Sequence, residues 1–108
     1  MKVSYHDEFL NDLKKFWLGY LRDSGRAADR FIDESLNARA AIIAHPFSAG
    51  HFFQIGKRQV THLRRRNLKR FPFFILYSYD AATDALFFGA ILPARSEPSH
   101  WLDRFGEP

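Results

Sequence analysis

Between Lys57 and Arg70 the chain carries seven cations, Lys57, Arg58, Arg64, Arg65, Arg66, Lys69 and Arg70, and no acid. Arginine predominates, which favours forked contact with carboxylates or phosphates over simple solubility. Groups able to move protons lie in and around the run: His62, Tyr77, Tyr79 and His100. Cleaving a phosphodiester without a metal needs a base, an acid and cations for the crowded phosphate. Lys57, Arg65 and Arg95 suit the last role, and His62, set among arginines, suits the base. Simpler readings stand beside these, with His62 an exposed strand residue, Tyr77 part of the core and His100 on the surface. No pair has a spacing that dictates a catalytic geometry. An edge strand guarded by cations against aggregation accounts for two or three of the charges. Seven without an acid point to a binding role.

Other chemistries find little support. His45 and His51 flank a loop, but six residues apart and without matched acids they do not have ligand spacing, so no metal is expected. There is no glycine-rich phosphate loop and no serine elbow, and no cofactor is expected. The absence of cysteine excludes disulfides and thiolate zinc sites and agrees with a reducing cytoplasm.

The charge is concentrated. Removing the seven cations of this segment from the total of 16 leaves nine against 12 acids, a net −3 elsewhere in a chain whose overall charge is +4. Such asymmetry gives a directed field. At 108 residues the chain is expected to be one domain, 1–108, burying roughly two-thirds of its unfolded surface. The 46% hydrophobic and 17% aromatic content excludes a disordered chain. The apolar run Phe71 to Tyr77 is far short of the ~20 residues of a membrane helix. "MKVSYHDEFL" reaches acids by its seventh residue, with no apolar signal region, so a soluble cytoplasmic protein is expected.

The elements that must position these residues follow from periodicity. Val3 to Tyr5 reads as a short strand. His6 to Arg22 reads as a helix with Asp7 as cap or first-turn acid, its apolar arc made of Phe9, Leu10, Leu13, Phe16, Trp17, Tyr20 and Leu21. "RDSGR" breaks it, with Gly25 expected in a left-handed conformation. A second helix is expected from Arg26 to Ala44, stopped by Pro46, giving an antiparallel hairpin. Arg39 falls inside its apolar arc, either reaching past the core to water or forming a buried cation beneath a functional surface.

After "HPFSAG" the pattern becomes strand-like: His51 to Ile55, then Val60 to Leu68, then the aromatic Pro72 to Asp80 as central strand. "DAATD" turns the chain into Ala85 to Leu92, where Gly89 marks a bulge or a close backbone approach. A short terminal helix is expected near Pro98. The fold class is α+β, a helical hairpin packed on one face of a small antiparallel-dominated sheet.

In this order the chain resembles the RelE/ParE family of toxins from bacterial type II toxin–antitoxin pairs. "LRRRNLKRFPFFILYSYD" is similar to the family's arginine-bearing strand, aromatic–proline junction and following apolar strand. "DALFFGAILPARSEPSHWLDR" is similar to its last strand, followed by a basic residue (Arg95), an acid–proline pair (Glu97–Pro98), a tryptophan (Trp101) and an arginine three residues later (Arg104). The resemblance covers nearly the whole chain and is closer to the ParE branch. It implies a growth-inhibiting toxin that binds DNA gyrase and is neutralised by a cognate antitoxin with an acidic, partly disordered tail, in a hetero-oligomer.

The RelE branch offers an alternative, a ribosome-dependent endoribonuclease acting on messenger RNA, for which His62, Arg65, Tyr77 and Arg95 are the candidate catalytic set. A small nucleic-acid-binding module is a third reading. Candidate binding residues are the seven cations with Arg95, Trp101 and Arg104. Where many relatives carry histidine before the terminal basic residue, this chain has Pro93, so chemistry ascribed to that histidine is absent.

Overall fold

The computed structural model of the chain describes the backbone of residues 1–55 and 58–105, and the side chains of all of these except 51–55, 58–61 and 98–100. A first strand, β1 (Lys2–Tyr5), leads into helix α1 (Phe9–Asp23). The apolar spacing buries Phe9 and Leu13 and half-buries Phe16, Trp17 and Tyr20, while Leu10 and Leu21, at the edges of the arc, remain exposed. The helix starts later than the periodicity suggested. His6 turns the chain first, its Nδ1 accepting the Glu8 N–H (3.0 Å) and its carbonyl the Phe9 N–H (2.9 Å). The N-cap position is therefore Glu8 rather than Asp7, and its side chain makes no capping bond.

Helix α2 (Gly25–Ala44) follows after a single residue. The expected left-handed glycine is absent: Gly25 is the first helical residue, and the break is made by Ser24 in extended conformation (φ −165°, ψ 127°). Its N–H closes α1 on the Tyr20 carbonyl (2.9 Å), and its Oγ accepts the Ala27 N–H (3.3 Å) to open α2. Serine is a strong N-cap, so one residue serves both helices. Arg39 does not reach water. It is 8% exposed, with Nε donating to the Ser35 carbonyl at 3.3 Å and the guanidinium 5.9 Å from the centre of the Phe9 ring.

Four further strands, β2 (His51–Ile55), β3 (Arg58–Asn67), β4 (Phe73–Asp80) and β5 (Ala85–Pro93), complete a five-stranded sheet in the order β1-β5-β4-β3-β2. β1 runs parallel to β5 and the other pairs are antiparallel. The most apolar strand, β4, is central, and both of its faces are used. Phe73, Ile75 and Tyr77 join Phe9, Phe31 and Ile42 under the hairpin. Phe74 and Leu76 join Leu63, Ala90 and Leu92 on the other face, which Trp101, Leu102 and Phe105 of the terminal 3-10 helix (Pro98–Phe105) cover.

Gly89 carries both features read from its sequence position. The β4–β5 register shifts there, Leu76 pairing Ala90 and Tyr77 pairing Phe88. The extra residue moves the hairpin-facing positions from Leu86 and Phe88 to Ile91. A side chain at Gly89 would also overlap the Phe105 ring, so the glycine admits the terminal helix. Among the described residues no helix is long and apolar enough to cross a membrane.

Candidate functional site

Successive residues of a strand face opposite ways, and β3 divides its arginines accordingly. Arg64 and Arg66 pair with Tyr77 and Ile75 and share the hairpin face, whereas Arg65 pairs with Leu76 and shares the other. On the hairpin face, three side chains hold the connection between α2 and β2 by its carbonyls. Arg64 Nη1 donates to Phe47 O (2.8 Å) and Gly50 O (3.4 Å), Arg66 Nη1 to Ala49 O (2.5 Å), and Tyr77 Oη to Pro46 O (2.8 Å). Gly50 fits because it has no side chain: a Cβ would lie 2.7 Å from Tyr77 Oη and 2.8 Å from Arg65 O.

The Tyr77 ring is fully buried. Burial pushes its phenol pKa up, outweighing the Arg64 and Arg66 charges that draw it down, and the group stays a protonated donor. That places this catalytic candidate in the core. On the opposite face the Arg65 guanidinium stacks 3.9 Å from the Phe74 ring centre, with Nε donating to Asn67 Oδ1 (2.9 Å). Partial burial lowers its pKa from the ordinary arginine value.

Three exposed cations of the candidate set gather at one end of the sheet. β3 and β4 part after the Asn67–Phe74 pair, β5 ends where Pro93 pairs with Phe73, and the Ala94 N–H donates to Pro72 O (2.7 Å). Lys69, Arg70 and Arg95 all leave the sheet here and are exposed. The opposite end carries Asp80 and Asp84. Asp84 accepts from Tyr79 Oη (2.7 Å) and pairs with the Met1 ammonium (3.2 Å), which together hold its carboxyl below the usual range, the tyrosine bond foremost.

Beside the cationic end, a groove of about 580 Å³ runs between α2 and residues 66–71. Glu34 fixes its walls together, both carboxylate oxygens accepting the Arg70 backbone N–H (3.1 and 3.0 Å).

The remaining candidates are scattered. His62 is exposed on β3. Trp101 is half-buried against the Leu63–Phe74 cluster. Arg104 is no outward-facing cation: it pairs with Asp12 of α1 (2.7 Å) and donates to Gly89 O (3.2 Å), tying the terminal helix across the edge of the sheet. Lys57 lies outside the described residues, as do the side chains of Arg58 and His100. His62 and Tyr77 are thus not assembled with Arg95 at the cationic end.

Two parts of the site escaped the sequence reading. The groove wall of Arg30, Asp33, Glu34 and Asn37 has helical spacing and was legible as a polar stripe beside the apolar arc of α2. The clasp on the 45–50 connection left no such signal, because its acceptors are backbone carbonyls.

No protein-family model matches the chain, and no curated protein matches it. Among solved structures, the chain is similar to one of the chromosomal ParDE TA (toxin–antitoxin) system from P. aeruginosa. The TM-score is 0.69 at 15% sequence identity, covering 88% of this chain and 97% of that one. At this identity the likeness shows a shared fold, and it is the ParE-like α+β fold that the sequence resemblance implied.

Proposed function

We propose that the chain is the toxin of a type II toxin–antitoxin pair of the RelE/ParE kind. In this reading it is a cytoplasmic protein that arrests growth by binding DNA gyrase and is neutralised by a cognate antitoxin in a hetero-oligomer. The observation that carries the reading is the near-complete overlap of its fold with a chain of a ParDE system. The exposed cations at one end of the sheet supply a surface for an acidic partner. Binding is favoured over RNA cleavage because Tyr77 is buried on the Pro46 carbonyl and Pro93 stands where many relatives carry histidine.

Expression of the chain alone in bacteria tests the reading. Growth is expected to stop, DNA-damage responses to rise and messenger RNA to remain uncut, with rescue by co-expression of a cognate antitoxin. Cuts at codon positions in translated messages, mapped from 5′ ends after brief induction, would replace gyrase binding with ribosome-dependent cleavage. Harmless accumulation of folded protein would remove the toxin reading.

A further inference from the structure

The outer surface of the helical hairpin carries an apolar seam. At about 100° per residue, Leu10, Trp17 and Leu21 of α1 fall within about 40° of arc, and so do Ile32, Leu36 and Ile43 of α2. Each triplet lies on one flank of its helix's buried stripe, and the other flank is already engaged. On α1 that other flank carries Asp12, which pairs with Arg104 at the edge of the sheet. On α2 it carries Glu34 and Asn37, which line the groove beside residues 66–71. The two triplets therefore face each other across the hairpin, above the contact of Tyr20 with Phe31 (5.2 Å between ring centres). Trp17 and Ile32 pack down on the core, but Leu10, Leu21, Leu36 and Ile43 remain 57%, 42%, 51% and 38% exposed. Four large apolar side chains so exposed on one seam, rimmed by charge, form the kind of patch that marks an association site.

The rim selects the occupant. Lys14 and Arg22 stand on the α1 side and Asp29 and Asp33 on the α2 side, all exposed, and none forms an ion pair among the described residues. Arg30 is turned to the groove, and Arg26 lies at the hairpin turn. A partner of uniform charge would meet like charge on one rim, whereas a second copy of the chain carries both signs in the complementary order. We propose that two copies pair through this seam as a four-helix bundle, with the twofold axis parallel to the helices. Such an axis keeps every residue at its own level and lays α1 of each copy over α2 of the other. The contacts of Tyr20 with Phe31 and of Phe9 with Arg39 fix those levels. They set Arg22 opposite Asp29 of the second copy and Lys14 within a turn of its Asp33, while the leucines close on one another. The seam and its rims cover roughly 1,000–1,200 Å² in total, at the lower end of specific interfaces, so pairing is expected in the micromolar range.

Sedimentation velocity of the purified full chain between about 1 and 200 µM tests the pairing, and a concentration-dependent monomer–dimer equilibrium is expected. Leu10→Gln with Leu36→Gln alters exposed side chains only and is expected to raise the dissociation constant at least about tenfold, with folding checked by circular dichroism. Arg22→Asp and Asp29→Arg are each expected to weaken pairing by roughly 3- to 10-fold, and the two combined to recover it. The chain has no cysteine, so Leu10→Cys and Leu36→Cys, made singly, report the axis. Both are expected to form disulfide-linked dimers faster than Asn37→Cys on the groove flank, because each seam residue lies against its own copy. A chain that stays monomeric throughout would overturn the proposal and leave the seam to a foreign partner. A dimer that survives the leucine changes would overturn it by placing the interface elsewhere. Cross-linking no faster than that of Asn37→Cys, or no recovery in the combined charge variant, would overturn the arrangement proposed.

Discussion

Arg64 and Arg66 lie within six residues of Lys69 and Arg70 in sequence, and the fold uses the two pairs for different purposes. The first pair faces the hairpin and holds the carbonyls of Phe47, Ala49 and Gly50. The second projects into water with Arg95 at the end of the sheet. A hydrogen bond from a charged donor contributes about 1.5–3 kcal/mol when sheltered, whereas an exposed charge away from such contacts is within about 0.5 kcal/mol of neutral. A basic run in a strand is therefore not one feature. Alternation along β3 turns Arg64 and Arg66 to the hairpin and Arg65 to the other face, and the end of the strand at Asn67 releases Lys69 and Arg70 to the surface.

The largest effect on stability is expected from removing the clasp. Arg64→Met with Arg66→Met is expected to lower stability by about 3 kcal/mol, read from the urea midpoint, because carbonyls of the 45–50 connection lose charged donors. A loss below about 0.5 kcal/mol would put these arginines in the same class as Lys69. Gly50→Ala is expected to cost about 2 kcal/mol, since the backbone oxygen of Arg65 cannot move aside as a side chain could.

Tyr77→Phe is expected to have a pH-dependent effect. At neutral pH it is expected to cost about 1 kcal/mol for the lost bond to Pro46. The folded phenol has its pKa raised by burial. Its contribution is fully present below the unfolded value, about 10, and is lost as pH rises through the folded value. The wild-type advantage over Tyr77→Phe should therefore shrink above about pH 10 in denaturant titrations. A widening gap would mean the phenol is not held as a buried neutral donor. The smallest effect on stability is expected from Lys69→Glu, Arg70→Glu and Arg95→Ala together, within about 0.5 kcal/mol per site.

What could be read in advance follows the same physical line. Periodicity identified both helices, because burial imposes a side-chain pattern on sequence, while aromatic and β-branched content marked β4 as central and a glycine within a strand marked Gly89. Ser24 was missed as the pivot because glycine is the commoner signal at such a break, although a serine cap achieves the turn without a left-handed residue. Arg39 could be seen to fall on the wrong side of α2, yet its burial depends on the Ser35 carbonyl and the Phe9 ring. At the site, the period-two rule alone separates Arg65 from Arg64 and Arg66. Nothing in "HPFSAG" announced a row of carbonyls waiting for Arg64, Arg66 and Tyr77. Arg104 reads as a surface cation until Asp12, 92 positions earlier, is brought beside it.

Colony formation is to be compared in a bacterial host expressing wild type or the triple variant Lys69→Glu, Arg70→Glu, Arg95→Ala, with matched levels of folded soluble protein. Wild type is expected to abolish colony growth and the triple variant, equally stable, to restore it by at least tenfold, the equivalent of about 1.4 kcal/mol of lost binding. Equal arrest by both proteins would contradict the assignment of function to the cationic end of the sheet, and growth with both would contradict the toxin.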